Sequence, residues 1–485
     1  MISMFSSLVL RLLGLRLTSR ALPVSSTGTS KISIAYFRSD ISKSYLLLIE
    51  VIGLVTRKIR ELANNERKFL WSPVGSVSVV FRIDGSVPVD SLRAAIGRIG
   101  EKHPLVSSRV EMNEERVLHF VYDSEIVPQL RIVERESDDH WIRAIRDEFA
   151  IPFNQFTGPP IRFILLRSES RSDLVAYAQH AICDGTALAF LLRDILTLTA
   201  SPESSLDTLE PDILLPELFS QQLEGGGLVD RIKSFFIGRM NKKWRKNPFF
   251  FDYEDFLGIH EAFVKQYEYD AVVVEMDRDK TRRLTEVCRA NGVTVNTALT
   301  VAFNQAYNDI VAEELGKSEE LVLPYDLRNR VKPPLGDVFG LLVGTLEVPY
   351  KYNTSNSLWE NAAELHRKTQ KKIEERELFT GAMDFEKIDP TLADVVVSFT
   401  LLADQVPRDS SSYEKLKSFA QDKDNLAVSL SEKFVDQFPK VINTNLGRLD
   451  YPATYGQMAL SAVFFAPAGS TMIPVVMGAV GASGI

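Results

Sequence analysis

Seven consecutive residues, Gln179-His180-Ala181-Ile182-Cys183-Asp184-Gly185, gather more chemistry than any other stretch of the 485-residue chain. An unperturbed imidazole titrates at about pH 6.5, so its neutral form can accept a proton at cellular pH. A histidine held in a loop between a rigid strand and a helix is well placed as a general base. Asp184 has three residues between it and His180 in a tight loop. It reads as a brace for that loop, through an arginine, rather than as a relay partner. Gly185 leaves the backbone bare where a substrate arm can pass. Taken alone, H-x-x-x-D-G is a weak pattern. It fits equally a hydrogen-bonded loop histidine followed by a turn-forming Asp-Gly.

Cys183 is a rival nucleophile, because a cysteine near a histidine can run acyl transfer. Three residues from His180 in one short loop, the two side chains do not readily face one substrate, and a small buried packing residue is the preferred reading. His103 ends a helix and precedes a proline, which structure explains better than catalysis. His119, His140, His260 and His366 have no spacing that suggests a metal site.

The elements around the loop follow from apolar spacing. Leu174–Gln179 is an apolar strand that delivers His180, and Thr186–Leu198 a strongly apolar helix beyond it. Upstream, Val77, Val79, Phe81 and Ile83 alternate with polar residues as in a half-buried strand. Val89, Leu92, Ile96 and Ile99 recur at helical spacing, with Pro88 and Asp90 at the start. Further strands are expected at 116–122, 129–133 and 161–166, with a helix at 139–148. Residues 201–262 are less regular and carry the basic cluster Lys242, Lys243, Arg245 and Lys246, read as a solvated linker face rather than a phosphate site. Beyond them a second set begins: a strand at 271–276, helices at 278–291 and 295–307, strands at 320–324 and 341–348, a charged helix at 357–375, and strands at 395–402, 440–444 and 459–465. Strands mixed with helices throughout indicate an α/β (α+β) chain with two lobes of similar size.

Composition bounds the function. Hydrophobic residues make up 45% and charged residues 25%, as in ordinary globular proteins. The net charge of −8 argues against nucleic acid as a partner. Two cysteines, Cys183 and Cys288, exclude a disulfide scaffold and a thiolate-rich zinc site. The first forty residues hold five Arg or Lys and one acid, a net +4, which leaves −12 on the rest. That basic, Ser-rich start resembles an organelle transit peptide, with a disordered extension as the alternative. Tyr45–Val55 is too short to span a membrane and reads as a helix, so no transmembrane segment is expected.

The motif and its flanks resemble the condensation-domain and chloramphenicol-acetyltransferase-like superfamily, most of all its alcohol acetyltransferases and polyketide-associated acyltransferases. The superfamily motif is H-H-x-x-x-D-G, matched here with Gln179 in place of the first histidine. The helix from Leu92 to the His103-Pro104-Leu105 turn resembles the family's early helix, and Val272–Val274 with the run at 289–295 the start of its C-terminal lobe. Asp326-Leu327-Arg328-Asn329-Arg330 and Asn445-Leu446-Gly447-Arg448 resemble its later landmarks, in the expected order. The resemblance spans about residues 70–465.

What it implies is two chloramphenicol-acetyltransferase-like lobes with mixed sheets and a channel between them. The division is an N-terminal extension at 1–57, a lobe with the motif at 58–205, a connection at 206–266 and a second lobe at 267–485. An acyl group would pass from acyl-CoA or an acyl carrier protein to a small-molecule alcohol, or less readily an amine, without a covalent acyl-enzyme. His180 would be the general base and Asp184 the loop brace, with Arg328 its partner. Gly185, Arg328, Asn445 and Gly447 would lie with the substrate. No metal and no tightly bound cofactor is implied. The expected protein is a cytoplasmic monomer, or an organellar one if the N-terminus targets it. A catalytically inactive binding or scaffold protein of the same fold is the alternative. Similar proteins continue with a further strand and a closing helix, so a truncated second lobe with an open sheet edge is also expected.

Overall fold

The structure is a computed structural model, and it describes residues 56–209, 228–315, 319–395, 398–434, 439–470 and 473–482. The chain separates into units Met1–Leu54 and Val55–Ile485, and everything below concerns the second. The transit-like start and the helix expected at 45–55 lie outside the described residues.

Six strands form the largest sheet: β2 (Ser76–Asp84), β5 (Gln129–Glu134), β6 (Ile161–Arg167), β7 (Arg171–Gln179), β11 (Thr454–Tyr455) and β12 (Met458–Pro467), in the order β11-β12-β2-β7-β6-β5. All pairs are antiparallel except β5 with β6. A three-stranded sheet orders β1 (Thr56–Glu61), β4 (Leu118–Asp123) and β3 (Ser108–Met112) as β1-β4-β3. A four-stranded mixed sheet holds β8 (Glu320–Asp326), β9 (Val343–Pro349), β10 (Val441–Leu449) and β13 (Val475–Ala482), in the order β13-β10-β8-β9.

The central strands β2 and β7 explain the position of the loop. β7 is buried along nearly its whole length and pairs with β2 in unbroken register from Arg171 opposite Asp84 to Gln179 opposite Ser76. β2 is buried on both faces, not one, because helices cover the sheet. Its inward polar residue Arg82 is therefore paired, with Nε 2.7 Å from Oδ1 of the buried Asp173. An unpaired guanidinium there would carry a desolvation cost of several kcal/mol.

The helices are α1 (Asn64–Leu70), α2 (Val89–Lys102), α3 (His140–Phe149), α4 (Gly185–Ala200), α5 (Leu228–Trp244), α6 (Tyr253–Val264), α7 (Arg278–Ala290), α8 (Val295–Ile310) and α9 (Leu358–Glu374), with shorter helices between 377 and 434. α4 is the most deeply buried and packs on α2 and β2.

Two cores result. One gathers the six-stranded sheet with α2, α3, α4 and α6. The other lies between the four-stranded sheet and α8 and α9. The chain crosses between them more than once. Segments within 392–428 and 449–466 pack into the first core, although in sequence they alternate with the strands of the second.

Two expected strands are absent. Residues 271–276 form no ladder, and Val272 and Val274 are 95% and 83% exposed, since no described strand lies alongside. The strand expected at 395–402 is replaced by helices Pro390–Val395 and Ser398–Leu402. Asp389-Pro390 explains the first: proline suits the opening turn of a helix, and the Asp389 carboxylate accepts from the Thr391 amide at 3.2 Å. The linker contains α5 and α6, and Arg245 of its basic cluster pairs with Asp389 at 2.7 Å. Among the described residues no helix is long and apolar enough to cross a membrane.

Candidate active site

β7 ends at Gln179, and the next residue turns out of the sheet. The His180 amide donates to the Gly75 carbonyl at 2.7 Å, which fixes the loop to the start of β2. Nδ1 of His180 lies 2.7 Å from the Cys183 carbonyl oxygen. A carbonyl only accepts, so Nδ1 carries the proton and the Nε2 lone pair is left for another partner. The ring stacks on Phe69 of α1, centroids 4.3 Å apart and planes 25° from parallel, and remains half-exposed. Burial holds its pKa below the ordinary histidine value, opposed by the Cys183 carbonyl and Asp184 and reinforced by Lys68. The neutral imidazole is therefore the form present at neutral pH.

Asp184 takes a different part. It caps α4, Oδ1 accepting from the Ala187 amide at 2.8 Å. Oδ2 accepts from the Leu342 amide at 2.9 Å, and Nη1 of Arg328 reaches both oxygens at 3.2 and 3.0 Å. Every lone-pair direction is used inside the protein, and the residue is 3% exposed. Arg328 is 1% exposed. Its remaining donors go to Asp326 at 2.6 Å and to the carbonyls of Val338 and Gly340, both at 3.0 Å. Burial works against its charge, and Asp184 and Asp326 outweigh it, so its pKa rises. The pair ties the start of α4 to the 326–342 segment. Arg328 has no donor facing solvent.

Gly185 is needed for close packing. A Cβ there would stand 2.5 Å from Cε2 of Phe465 and 2.9 Å from Cδ2 of Leu446. The space its missing side chain leaves is occupied by β12 and β10, not by an open path. Leu446 lies between Asn445 and Gly447, so β10 passes directly over the α4 N-terminus. Asn445 is half-buried, and its Oδ1 accepts from the Gly447 amide at 2.7 Å. Gly447 is exposed with φ +75°, a conformation other residues rarely hold.

Cys183 is fully buried, and burial pushes its thiol well above the usual value, so no thiolate forms there. Gln179 turns away from His180. Its Nε2 donates to the Leu70 carbonyl at 2.9 Å, and its side chain borders a small open cleft with Ser72, Tyr177 and His260. The first position of the motif thus supports α1 rather than joining the histidine.

Two residues beside His180 carry no sequence motif: Phe69, and Lys68 whose Nζ lies 5.0 Å from the Phe69 ring centre. Only tertiary contact reveals them.

Residues 267–398 match the family described as "Phthiocerol/phthiodiolone dimycocerosyl transferase C-terminus". Among curated proteins the chain is 19% identical to Bacitracin synthase 1 of Bacillus licheniformis over 292 residues, covering 59% of this chain. It is 20% identical to Phosphinothricin tripeptide synthetase PhsC of Streptomyces viridochromogenes over 327 residues, covering 66% of this chain. These matches span 5% and 30% of the two relatives' lengths. Among solved structures, polyketide synthase associated protein 5 from Mycobacterium tuberculosis aligns at TM-score 0.53 and 14% identity, over 88% of this chain and 91% of its own. TRI3 trichothecene 15-O-acetyltransferase from Fusarium sporotrichioides aligns at 0.56 and 10%, over 88% and 89%. The family match over residues 267–398, the sequence relatives and the shared fold all make the chain similar to condensation-domain and chloramphenicol-acetyltransferase-like acyltransferases.

Proposed function

We propose that this chain transfers an acyl group from a thioester, carried by CoA or by an acyl carrier protein, to the hydroxyl of a small-molecule acceptor. The observation that carries the reading is the His180 tautomer. With Nδ1–H committed to the Cys183 carbonyl, Nε2 is an unprotonated acceptor on a half-exposed ring. As the acceptor oxygen attacks the thioester carbonyl, its proton passes to Nε2. A C–O bond forms, the C–S bond breaks, and Nε2 returns the proton to the departing sulfur as free thiol. The histidine ends as it began, with no acyl-enzyme and no bound cofactor required. An amine acceptor would react in the same way.

Asp184 and Arg328 hold the loop and α4 in register, and the Asn445–Gly447 turn borders the acceptor's approach. The relatives' names support this reading: one is an O-acetyltransferase and another a tripeptide synthetase. The test is turnover with acyl-CoA donors and a panel of alcohols and amines, followed as free thiol. His180→Ala should lower acceptor-dependent thiol release by on the order of 100- to 10,000-fold. Equal release by both proteins would overturn the mechanism.

A further inference from the structure

Lys68 stands out among the charged groups near His180. Its ammonium is half-buried and lies over two aromatic faces, 5.0 Å from the Phe69 ring centre and 5.4 Å from that of Phe385. Its hydrogen bond goes to a neutral group, Oδ1 of Asn65 at 3.1 Å. Among the described residues it makes no ion pair. Glu386 is the carboxylate whose charge it feels, but those oxygens accept from the backbone amides of Asn64 and Asn65 and from Nδ2 of Asn65, at 2.8 to 2.9 Å. Burial lowers the Lys68 pKa to about 8. A partly desolvated cation without a bonded anion is held at a cost, and it gains most from a charged hydrogen-bond partner brought to it.

Its place says where that partner must sit. Phe69 is shared: the His180 imidazole stacks on the same ring, centroids 4.3 Å apart. The ammonium is therefore no farther from the imidazole than those two distances laid end to end. The phosphates of CoA, or of a carrier's prosthetic arm, are a whole pantetheine length from the thioester. They cannot reach Lys68 while the thioester is at His180. An anion that reaches both must be close to the reacting atoms.

We propose that Lys68 receives a carboxylate carried by a substrate within a few bonds of its reacting atom, either on the acceptor or at the end of a short acyl group. This rests on the acyl-transfer reading above and names its substrate class. Lys68 then selects hydroxy-acid acceptors or dicarboxylic acyl donors over their neutral counterparts. Its Phe69 and Phe385 flanks keep the ammonium oriented while the site is empty.

The two sources are separated by binding, which does not need turnover. One arm titrates short hydroxy acids and their methyl esters, with no donor present. The other titrates succinyl-CoA and malonyl-CoA against acetyl-CoA and propionyl-CoA. Each arm uses wild type, Lys68→Gln, Lys68→Arg and His180→Ala. The expected result is a preference for the carboxylate of about 10- to 100-fold in one arm, the weight of a charged hydrogen bond. Lys68→Gln should abolish it and leave the neutral counterpart within about threefold. Lys68→Arg should keep most of it, and His180→Ala should retain it. No carboxylate preference in either arm, or one that survives in Lys68→Gln, overturns the proposal. A preference that depends on Lys68 in a protein whose turnover ignores His180 would overturn the mechanism but not the carboxylate site.

Discussion

His103 and His180 both sit where a regular element gives way to a turn, yet the protein uses them oppositely. His103 is fully buried at the end of α2, with Nε2 2.9 Å from Oδ2 of Asp194 on α4. Asp194 also holds Lys102 at 2.8 Å and Arg193 at 2.8 Å, and Arg193 continues to Asp337 at 2.8 Å. No face of His103 is open. Burial lowers its pKa against the pull of Asp194, so it is a neutral link in a polar knot. His180 has the reverse arrangement: a carbonyl rather than a carboxylate on one nitrogen, an open second nitrogen, and an aromatic platform. A carboxylate partner and complete burial make a histidine a strut. A backbone partner and half-exposure make it available to a substrate.

The comparison is broken most sharply at His180 itself. If His103→Gln rather than His180→Ala produced the large loss of thiol release, the assignment of roles would be reversed.

The next effect falls on stability. Asp184→Asn leaves Arg328 buried with less than its charge complement, and loss of one member of a buried pair costs about 3–5 kcal/mol. Urea unfolding should show it as a lower midpoint, with activity falling as the folded fraction does. An unchanged midpoint would mean the pair does not secure the 326–342 segment.

His103→Gln should cost about 1–3 kcal/mol, the penalty for disturbing a buried hydrogen bond, with kcat of the folded enzyme within about threefold. A tenfold or larger drop in kcat at unchanged stability would place His103 in the chemistry.

The pH profile sharpens the contrast further. The His180 pKa lies below the ordinary value, so the acid limb of kcat/KM should fall below about pH 6.5, activity being lost as protonation removes the base. The positive charge of Lys68 contributes to that lowering, so Lys68→Gln should move the limb to higher pH. Cys183→Ala keeps the carbonyl that His180 needs and removes only a buried thiol. It should cost about 1 kcal/mol or less and leave turnover unchanged, as stopped assays with a thiol reagent can check.

Most of the first lobe can be read from local pattern. The helical spacing of Leu92, Ile96 and Ile99 reports the face of α2 turned toward the core, whereas the alternation around Phe81 located β2 without showing that it is buried on both faces. The loop histidine was equally visible, because strand, polar turn and apolar helix follow one another without a gap. What stayed hidden is what distant segments create. Asp184 and Arg328 are 144 residues apart, and only the resemblance brought them together. Lys68 and Phe69 look like ordinary residues of a short amphipathic helix until Phe385 and His180 close on them. Residues 271–276 carry strand-forming valines, but a strand needs a neighbour, and pattern alone does not say whether one is present.

β12 has a consequence for how the molecule is made. It pairs with β2 along most of its length, Ala459 opposite Asp84 to Pro467 opposite Val77. The strand that carries the His180 loop therefore rests on a neighbour, β2, whose other edge stays open until the chain has been made through Pro467. The N-terminal half cannot mature as it is synthesised. It must wait, with an unpaired apolar strand, for Met458–Pro467, and that interval is when the nascent protein most needs a chaperone.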